Sequence, residues 1–415
     1  MNWGIRPVSE LCTYAIDCVN KTAPLSEVET PYKMLRTTNI KDGYIDFDNV
    51  RYVEKDVFDK WTRRAVPKYG DVLFTREAPV GEVGRFTSKS ENYFLGQRTF
   101  LYRANPNKLD WNYLAYILQS PQIQGWVNGI AYGATVPHLK VGDMEHLMIP
   151  VPPLPTQKKI AKILSNYDDL IENNLKRIKL LEESARLTYE EWFLRFRVDG
   201  KKLEIDPESG LPFGWERLRI EDYLDILSKG PSLNYDLGGA RGVPVLNQSC
   251  IRNGEIELTK LLVAKELNDK NKSSYLRIND ILINSMGKGT LGRVSKNVSI
   301  DTKMIIHNCI TYLRAKDIYS QYMLFYFISA HQQYFESIAI GATGQSTLKK
   351  ELISNLVITL PDQNCMNRYD LILSSIWNKT GLLKKQNQLL KEARDILLPR
   401  LMTGMIDTDD IEVTA

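Results

Sequence analysis

The chain contains the same pattern twice, with corresponding residues about 208 positions apart. In the first copy, Gly133-Ala134-Thr135 precedes an apolar segment, a proline cluster and a long helical pattern. In the second copy, Gly341-Ala342-Thr343 precedes another apolar segment, Pro361 and a second long helical pattern. Solenoid repeats have periods of roughly 20 to 50 residues, so this repeat is too long for a solenoid. The pattern predicts two copies of one domain, each followed by a helix.

The correspondence extends upstream of these segments. Gly70-Asp71-Val72-Leu73-Phe74 corresponds to Asn279-Asp280-Ile281-Leu282-Ile283, and Gly84-Arg85 corresponds to Gly292-Arg293. Short apolar runs bounded by turn residues are typical of strands. Further strands are predicted at 100–103 and 309–313, and short helices at about 111–118 and 322–328. Each copy is therefore predicted to be a module of helices and strands that is rich in strands.

Both helical patterns carry apolar residues at steps of three and four, which is typical of a coiled coil. The first pattern starts with Thr156 as a candidate N-cap and reaches about Phe196, which corresponds to a helix roughly 60 Å long. In the second pattern, Pro399 suggests a kink or a stop near the end. The residues predicted to pack between the helices are Ile160, Leu164, Ile171, Ile178 and Leu181 in the first helix and Ile376, Leu383, Leu390 and Leu397 in the second. Asn174 and Gln386 interrupt the two apolar seams, and they either fix the pairing register or are simply exposed.

Two equivalent helices in one chain most simply pair with each other, and a local two-fold relation favours an antiparallel pair. The sequence thus predicts an α+β protein in which two mixed modules are joined by two long antiparallel helices, with a pseudo-two-fold internal repeat. The predicted boundaries are 1–150 for the first module, 151–200 for the central helix, 201–361 for the second module, 362–405 for the C-terminal helix and 406–415 for a tail.

Composition limits the function classes. The chain has 43% hydrophobic and 25% charged residues, as an ordinary globular protein does, and it has no apolar run long enough to cross a bilayer. Its five cysteines are odd in number and scattered, which is typical of reduced thiols in a cytoplasmic protein. The formal net charge of +4 is compatible with nucleic-acid binding but does not establish it.

Motifs for catalysis are missing from the sequence. Gly287-Lys288-Gly289-Thr290-Leu291-Gly292 matches the GxGxxG dinucleotide fingerprint, but Arg293-Val294-Ser295 continues like a strand where that motif requires a helix. These glycines are therefore predicted to form a tight turn. The sequence contains no P-loop, no HExxH and no Asn-Pro-Pro-Tyr or Asp-Pro-Pro-Tyr. Its histidines do not form clusters with cysteines at the spacing of metal ligands. We expect no catalytic residue, no metal and no cofactor.

Several passages carry a resemblance to a known family. They are Leu35-Arg36-Thr37-Thr38-Asn39-Ile40-Lys41-Asp42-Gly43 followed by Gly70-Asp71-Val72-Leu73-Phe74-Thr75-Arg76, the Gly-Ala-Thr loop, Pro152-Pro153-Leu154-Pro155-Thr156-Gln157, and Leu398-Pro399-Arg400-Leu401-Met402-Thr403-Gly404. In this order, over essentially the whole chain, they resemble the specificity subunit of a type I restriction-modification system. The resemblance implies two target recognition domains that each read one part of a split double-stranded DNA site. It also implies that the helices set the length of the DNA spacer between the two parts of the site and bind two methyltransferase subunits. Motor-nuclease restriction subunits would join for cleavage. Because the two copies differ in most residues, we expect an asymmetric bipartite site.

Polar residues at matching places in the two copies are candidate DNA contacts. Asn and Gln can pair with adenine through two hydrogen bonds, and Arg can pair in this way with guanine. The candidates are Arg36, Thr37, Asn39, Arg76, His138 and Lys140 in the first copy and Asn247, Gln248, Gln345, Ser346 and Lys349 in the second. Each of them could instead be an ordinary loop residue that caps a turn. For the whole chain, the alternatives are a coiled-coil scaffold with protein-binding heads and a nuclease or methyltransferase with an unrecognised site.

Overall fold

The computed structural model describes residues 3–133, 137–233, 242–252, 254–264, 274–287, 289–300, 303–340 and 347–408. The chain forms two compact units. Unit 1 contains Met1–Glu172 and Gln388–Ala415, and unit 2 contains Asn173–Asn387. Across the described residues, no helix combines the length and the apolar character needed to span a bilayer.

In its described residues, unit 1 contains a four-stranded sheet (the larger sheet), a three-stranded sheet (the smaller sheet), two two-stranded sheets and the helices packed on them. Its elements are β1 (Gly4–Pro7), β2 (Cys12–Asp17), β3 (Lys33–Leu35), β4 (Ile40–Lys41), β5 (Tyr44–Ile45), β6 (Arg51–Tyr52), α1 (Lys55–Trp61), β7 (Asp71–Arg76), β8 (Val80–Arg85), β9 (Tyr93–Leu95), β10 (Thr99–Ala104), α2 (Trp111–Gln119), α3 (Pro121–Ile130), α4 (Val141–Glu145), β11 (Met148–Val151) and the first part of the long helix α5 (Leu154–Tyr189). The larger sheet is antiparallel with the order β2-β10-β7-β8, and the smaller has the order β6-β3-β9. Phe74, Phe100 and Tyr102 from the larger sheet are fully buried against α2 and the start of α5.

Unit 2 repeats this construction. Its elements are the rest of α5, β12 (Arg197–Val198), β13 (Lys201–Lys202), β14 (Glu216–Arg219), α6 (Ile220–Tyr223), β15 (Leu224–Lys229), β16 (Val243–Leu246), β17 (Ile251–Arg252), β18 (Glu255–Ile256), β19 (Leu262–Ala264), β20 (Ile281–Asn284), β21 (Val294–Lys296), β22 (Ile305–Ile306), β23 (Ile310–Ala315), α7 (Gln321–Ala330), α8 (Gln332–Ile340), α9 (Lys350–Ser354), β24 (Val357–Leu360) and the first part of the long helix α10 (Gln363–Met402). Its larger sheet has the order β15-β23-β20-β21, and its smaller sheet has the order β19-β16-β22.

Sheet topology confirms the predicted internal repeat. In both units the larger sheet has the same antiparallel order, and the smaller sheet contains one parallel pair, β3 with β9 or β16 with β22. A matching buried ion pair fixes each larger sheet. Arg103 donates to both carboxylate oxygens of Asp71 at 2.7 and 2.8 Å, and Arg314 does the same to Asp280 at 2.6 and 2.8 Å. Bidentate guanidinium-carboxylate pairs combine strength with fixed geometry, so each pair holds two neighbouring strands in register.

Strand register corrects one predicted correspondence. Arg85 lies opposite Val72, and Lys296 lies opposite Ile281. Since Val72 and Ile281 occupy the same place in the two sheets, Arg85 corresponds to Lys296 and not to Arg293. The connection before β21 is longer than the one before β8, and this extra length displaces the glycine-arginine match. The glycine-rich segment leads into strand β21, which confirms that it does not open a helix as a dinucleotide fingerprint would.

The long helices differ from prediction at their ends. Helix α5 begins at Leu154, two residues before the predicted N-cap, because Pro155 is tolerated in a first turn whose N–H groups have no intrahelical partner. It ends at Tyr189 and is followed by a π-helical turn at Glu190–Leu194, short of the predicted Phe196. Helix α10 passes through Pro399 and ends at Met402, so Pro399 is not the stop itself. At 1.5 Å per residue, their 36 and 40 residues correspond to about 54 and 60 Å.

Segments of the two long helices pack antiparallel within each unit. In unit 1, the Asp168 carboxylate of α5 accepts a hydrogen bond from Arg394 Nη1 of α10 at 2.8 Å. In unit 2, the Asn174 amide donates to Asn387 Oδ1 at 2.9 Å and to Gln386 Oε1 at 3.2 Å. Farther along α5 in unit 2, Glu182 lies 3.5 Å from Lys384 of α10. Within this unit the partner numbers fall along α10 as residue numbers rise along α5, which confirms the antiparallel pairing. Asn174 is buried, so of the two roles considered for it the exposed one is wrong.

The residues predicted to pack between the helices are at least partly buried. Ile160, Leu164, Ile171, Ile178 and Leu383 are buried, and Leu181, Ile376, Leu390 and Leu397 are partly buried. In α10, Leu373, Trp377 and Thr380 are more deeply buried than a strict heptad predicts. The reason is that this part of α10 packs against the core of unit 2 as well as against α5.

Equivalent cations join each larger sheet to the helices. Arg85 Nη2 lies 2.7 Å from Asp168 Oδ2, and Tyr116 donates to the same oxygen at 2.6 Å. In unit 2, Lys296 Nζ lies 3.7 Å from Glu182 and 4.3 Å from the centroid of the Phe325 ring. Burial lowers the pKa of Lys296 to about 8. The same junction is therefore held by a buried ion pair in unit 1 and by a lysine enclosed in aromatic rings in unit 2.

Candidate nucleic-acid interface

Unit 1 has a groove, lined by both apolar and polar side chains, where β3, β6 and the turn between β9 and β10 meet. Its cavity volume is about 360 Å³. The polar side chains that line it are Thr22, Arg36, Thr37, Arg51, Gln97 and Arg98. Among the described residues that line it there is no carboxylate. Three guanidinium groups without a lining acid favour a polyanion, because guanidinium matches the geometry of phosphate and of guanine edges.

Arg36 is the most firmly held of the three arginines. Its backbone N–H donates to Asn39 Oδ1 at 2.9 Å, and its Nη2 donates to the Asn49 carbonyl at 3.3 Å. Its Nε is buried and has no partner. The guanidinium is thus anchored on one side, and within the described chain Nη1 makes no hydrogen bond.

Thr37 and Asn39, also predicted to contact DNA, are committed to the protein. Thr37 Oγ1 donates to the Ala78 carbonyl at 2.9 Å. Asn39 is 2% exposed, and its amide donates to the Asn49 carbonyl at 2.7 Å while its Oδ1 accepts from Arg36. Short polar side chains often cap turns in this way. Here they hold the turn that positions Arg36.

Arg51 and Arg98 have exposed side chains at the rim of the groove. Arg98 has a φ of 70°, in the left-handed region that is uncommon for a residue other than glycine. Its Nε lies 3.2 Å from Glu77 Oε2, in a pair whose arginine side chain is 46% exposed. Such a solvent-screened pair is weak, so a phosphate could compete for this guanidinium.

Arg76 is a structural cross-link in this structure. Its Nη2 lies 2.8 Å from Asp17 Oδ1, with both side chains nearly buried, and its Nη1 donates to the Leu139 carbonyl at 2.8 Å. Burial raises the pKa of Asp17, and the Arg76 charge opposes that shift. Arg76 thereby fixes Leu139 and, with it, the segment that carries His138 and Lys140.

His138 and Lys140 form an exposed patch with Tyr132. His138 exchanges backbone hydrogen bonds with Tyr132 at 2.8 and 2.9 Å, and Lys140 Nζ lies 4.1 Å from the centroid of the Tyr132 ring. The Tyr132 side chain is 44% exposed. An exposed aromatic ring beside a cation can stack on a base or attract a phosphate. The rest of this Gly-Ala-Thr loop, at 134–136, lies outside the described residues.

The matching place in unit 2 carries different chemistry. Leu35 pairs with Leu95 in one unit as Leu246 pairs with Ile306 in the other. The residues that follow therefore correspond: Arg36 to Asn247, Thr37 to Gln248, Gly96 to His307, Gln97 to Asn308 and Arg98 to Cys309. The guanidinium groups of Arg36 and Arg98 are thus replaced by an amide and a thiol in unit 2, and an imidazole stands in place of Gly96.

The two predicted contacts at this place in unit 2 differ in their freedom. Asn247 is buried; its amide donates to the Lys260 carbonyl at 2.7 Å and its Oδ1 accepts from the Ser249 N–H at 2.8 Å. Gln248 is partly exposed, and its Oε1 accepts from the Cys309 thiol at 2.6 Å. Burial raises the pKa of that thiol to about 11, so it stays a donor at neutral pH. The amide nitrogen of Gln248 is then the atom available to a ligand.

The remaining candidates follow the second Gly-Ala-Thr turn. Gln345 and Ser346 lie outside the described residues. Lys349 is exposed and is the N-terminal flanking residue of α9, as Lys140 is for α4. The backbone N–H of Lys140 donates to Asp143 Oδ2 at 3.1 Å. The two lysines thus occupy equivalent positions.

Arg51 and Arg98 were missing from the candidates chosen by sequence. They reach the groove from strand β6 and from the turn after β9, which only the pairing of β3 with both β6 and β9 brings beside Arg36. Comparison of the two copies could have indicated Arg98, because Gln97-Arg98 and Asn308-Cys309 precede equivalent strands and differ in chemistry.

Comparison with known proteins agrees with this architecture. Residues 2–183 and 212–392 match the family described as type I restriction modification DNA specificity domain. Over 418 residues the chain is 26% identical to the putative type I restriction enzyme MjaX specificity subunit of Methanocaldococcus jannaschii, with 98% of this chain and 94% of the relative covered. It is 25% identical over 385 residues to the type I restriction enzyme MjaIX specificity subunit of the same organism, with 88% and 86% covered.

A solved structure shares the fold. The S subunit of a type I restriction-modification system from M. genitalium aligns with a TM-score of 0.56 at 17% identity, covering 97% of this chain and 96% of that one. Both copies of the internal repeat match the family separately, in the same order as the two units of the fold. The chain belongs to the type I restriction-modification DNA specificity family.

Proposed function

We propose that this chain recognises an asymmetric, bipartite double-stranded DNA site on behalf of a type I restriction-modification complex. Residues 1–150 and 201–361 act as the two recognition domains. Each reads one part of the site, and the paired long helices set the number of base pairs between the parts. Two readers held by a fixed element define half-site separation geometrically.

One observation carries this proposal: the two units share a frame but differ in the groove. The buried Asp71–Arg103 and Asp280–Arg314 pairs repeat atom for atom, whereas Arg36 and Arg98 are replaced by Asn247 and Cys309. A frame that repeats while its loop residues change is expected when each copy presents its own side chains to its own base pairs.

Duplicated apolar pairs on the helices support docking of two methyltransferase subunits. In unit 2, Leu180 and Leu187 of α5 are 70% and 41% exposed; in unit 1, Leu389 and Ile396 of α10 are 57% and 55% exposed. Each pair is spaced by seven residues, as on one face of a helix, and the pairs occupy equivalent repeat positions. Large apolar side chains exposed in such a row mark protein contact surfaces.

Catalysis is assigned to partner subunits. Base methylation requires a flipped base in a cofactor-bearing pocket, whereas the charged residues that line the described groove are arginines and do not form an acid-base pair. The chain therefore supplies recognition, the methyltransferase subunits modify the site, and restriction subunits join for cleavage. We place the complex in the cytoplasm, where it meets chromosomal DNA.

Mapping methylated bases across a host genome tests the proposal. A host without other DNA methylation receives the methyltransferase gene with or without the gene for this chain. We expect a single bipartite motif that appears only when both genes are present. Methylation without this chain, or the absence of any bipartite motif with it, contradicts the proposal. Methylation or cleavage by the purified chain alone would favour an enzyme instead.

A further inference from the structure

The three groove arginines of unit 1 are held in different ways, and this difference separates a base reader from phosphate contacts. Base contacts carry sequence information, whereas phosphate contacts only position the protein. A residue that selects a base must be held in one orientation. A phosphate contact needs only a charge within reach. How each arginine side chain is held in the protein without DNA therefore indicates whether it contacts a base or a phosphate.

Arg36 is the one held in place. Its backbone N–H donates to Asn39, its Nη2 donates to the Asn49 carbonyl at 3.3 Å, and its Nε is buried. The side chains of Arg51 and Arg98 are exposed instead. One proton of Nη2 and both protons of Nη1 stay uncommitted to the described protein. These donors form the fork with which arginine meets the O6 and N7 acceptors of guanine in the major groove.

Arg51 and Arg98 lack such anchoring. Arg51 is exposed at the end of an edge strand and makes no ion pair with the described residues. Arg98 makes only the exposed pair with Glu77. Exposed cations on either side of Arg36 are suited to the sugar-phosphate backbone.

The equivalent position in unit 2 cannot perform the same task. The Asn247 amide uses one N–H on the Lys260 carbonyl and its oxygen on Ser249. Its side chain is only 5% exposed, so burial keeps its second N–H from a base edge. The two units therefore differ at this position in whether they read a base at all.

We infer that Arg36 is the base-reading residue of this groove, that it selects a guanine in the half-site bound by unit 1, and that Arg51 and Arg98 contact phosphates beside it. This inference rests on the proposed DNA recognition. It goes further by assigning one base to one residue, and it makes the two half-sites differ in the requirement for that guanine.

The test uses the full chain assembled with its methyltransferase subunits. Arg36→Ala, Arg51→Ala and a matched control, Arg63→Ala at an exposed arginine outside the groove, are compared by genome-wide methylation mapping and by duplex competition at several salt concentrations. We expect Arg36→Ala to lose preference at one G·C pair of one half-site, by roughly tenfold to hundredfold. The other half-site and the spacer should not change.

Arg51→Ala should behave differently. It should weaken binding to all sequences alike and reduce the salt dependence by about one counterion, with an unchanged motif. Arg63→Ala should change neither property. Because Arg36 also holds Asn49, Arg36→Gln provides a second variant that keeps a donor for that carbonyl. It should shift the preference from guanine toward adenine.

An unchanged motif with either Arg36 variant overturns the inference, as does a unit 1 half-site without an obligatory G·C pair. Both results would leave the proposed function standing, since a bipartite motif would still be present. Failure of the proposed function would instead be seen as the absence of any motif with the unaltered chain.

Discussion

Replacing Asp168 with alanine should destabilise unit 1 strongly. The Asp168 side chain is 4% exposed and accepts from Arg85 at 2.7 Å, from Arg394 at 2.8 Å and from the Tyr116 hydroxyl at 2.6 Å. Its loss leaves two guanidinium groups, 10% and 14% exposed, without their shared anion. Removing one partner of a buried ion pair costs about 3–5 kcal/mol. For a unit of this size, the melting temperature should fall by roughly 6–20 °C.

The chain offers a matched control. Asp395 pairs with the same Arg394 at 2.9 Å, but its side chain is 62% exposed. Exposed pairs contribute about 0–1 kcal/mol, so Asp395→Ala should lower the melting temperature by a few degrees at most. Calorimetry of the full chain measures both variants beside the unaltered protein. Equal shifts for Asp168→Ala and Asp395→Ala would refute the claim that burial makes this junction strong.

Three further predictions address unit 2 and the helices. Lys296 has a pKa near 8 when folded and an ordinary value near 10.5 when unfolded. The folded state therefore binds fewer protons than the unfolded state between these pH values. The free energy of unfolding, measured in urea and compared with that of Lys296→Met, should rise as pH increases from about 8 to 10.5. A difference that does not change with pH would contradict this. Asn174→Leu should cost about 1–3 kcal/mol by removing the amide that donates to Asn387 Oδ1, and adding Asn387→Leu should recover part of the loss in a double-mutant cycle. Additive losses would contradict that coupling. Leu180→Asp and Leu389→Asp should each remove one methyltransferase subunit from the assembled complex in a mass measurement, and unchanged stoichiometry would argue against docking at these sites.

Much of the architecture could be predicted because the repeat gives two independent views of each element. Strands β7 and β20 are apolar runs bounded by turn residues in both copies, and both were identified. Strands of two or three residues, such as β4 and β5, are too short to show alternation. Their positions depend on pairing partners elsewhere in the fold.

Predicting the site from sequence had a different limit. Arg36 was chosen as a candidate from its place after an apolar residue, but so were Thr37 and Asn39, which cap the turn. Sequence alone cannot distinguish a polar side chain that bonds to its own backbone from one that is free for a ligand. Likewise, the match of Arg85 to Lys296 needed strand register, because the preceding loops differ in length.

The most direct test of the central claim is exchange of one reader. Residues 1–150 are replaced by the corresponding residues of another family member, and the methylated motif is mapped for the parent and the exchanged chain. If each unit reads its own half-site and the helices set the gap, one half of the motif should change while the other half and the spacing stay the same. A change in both halves, or in the spacing alone, would contradict the account.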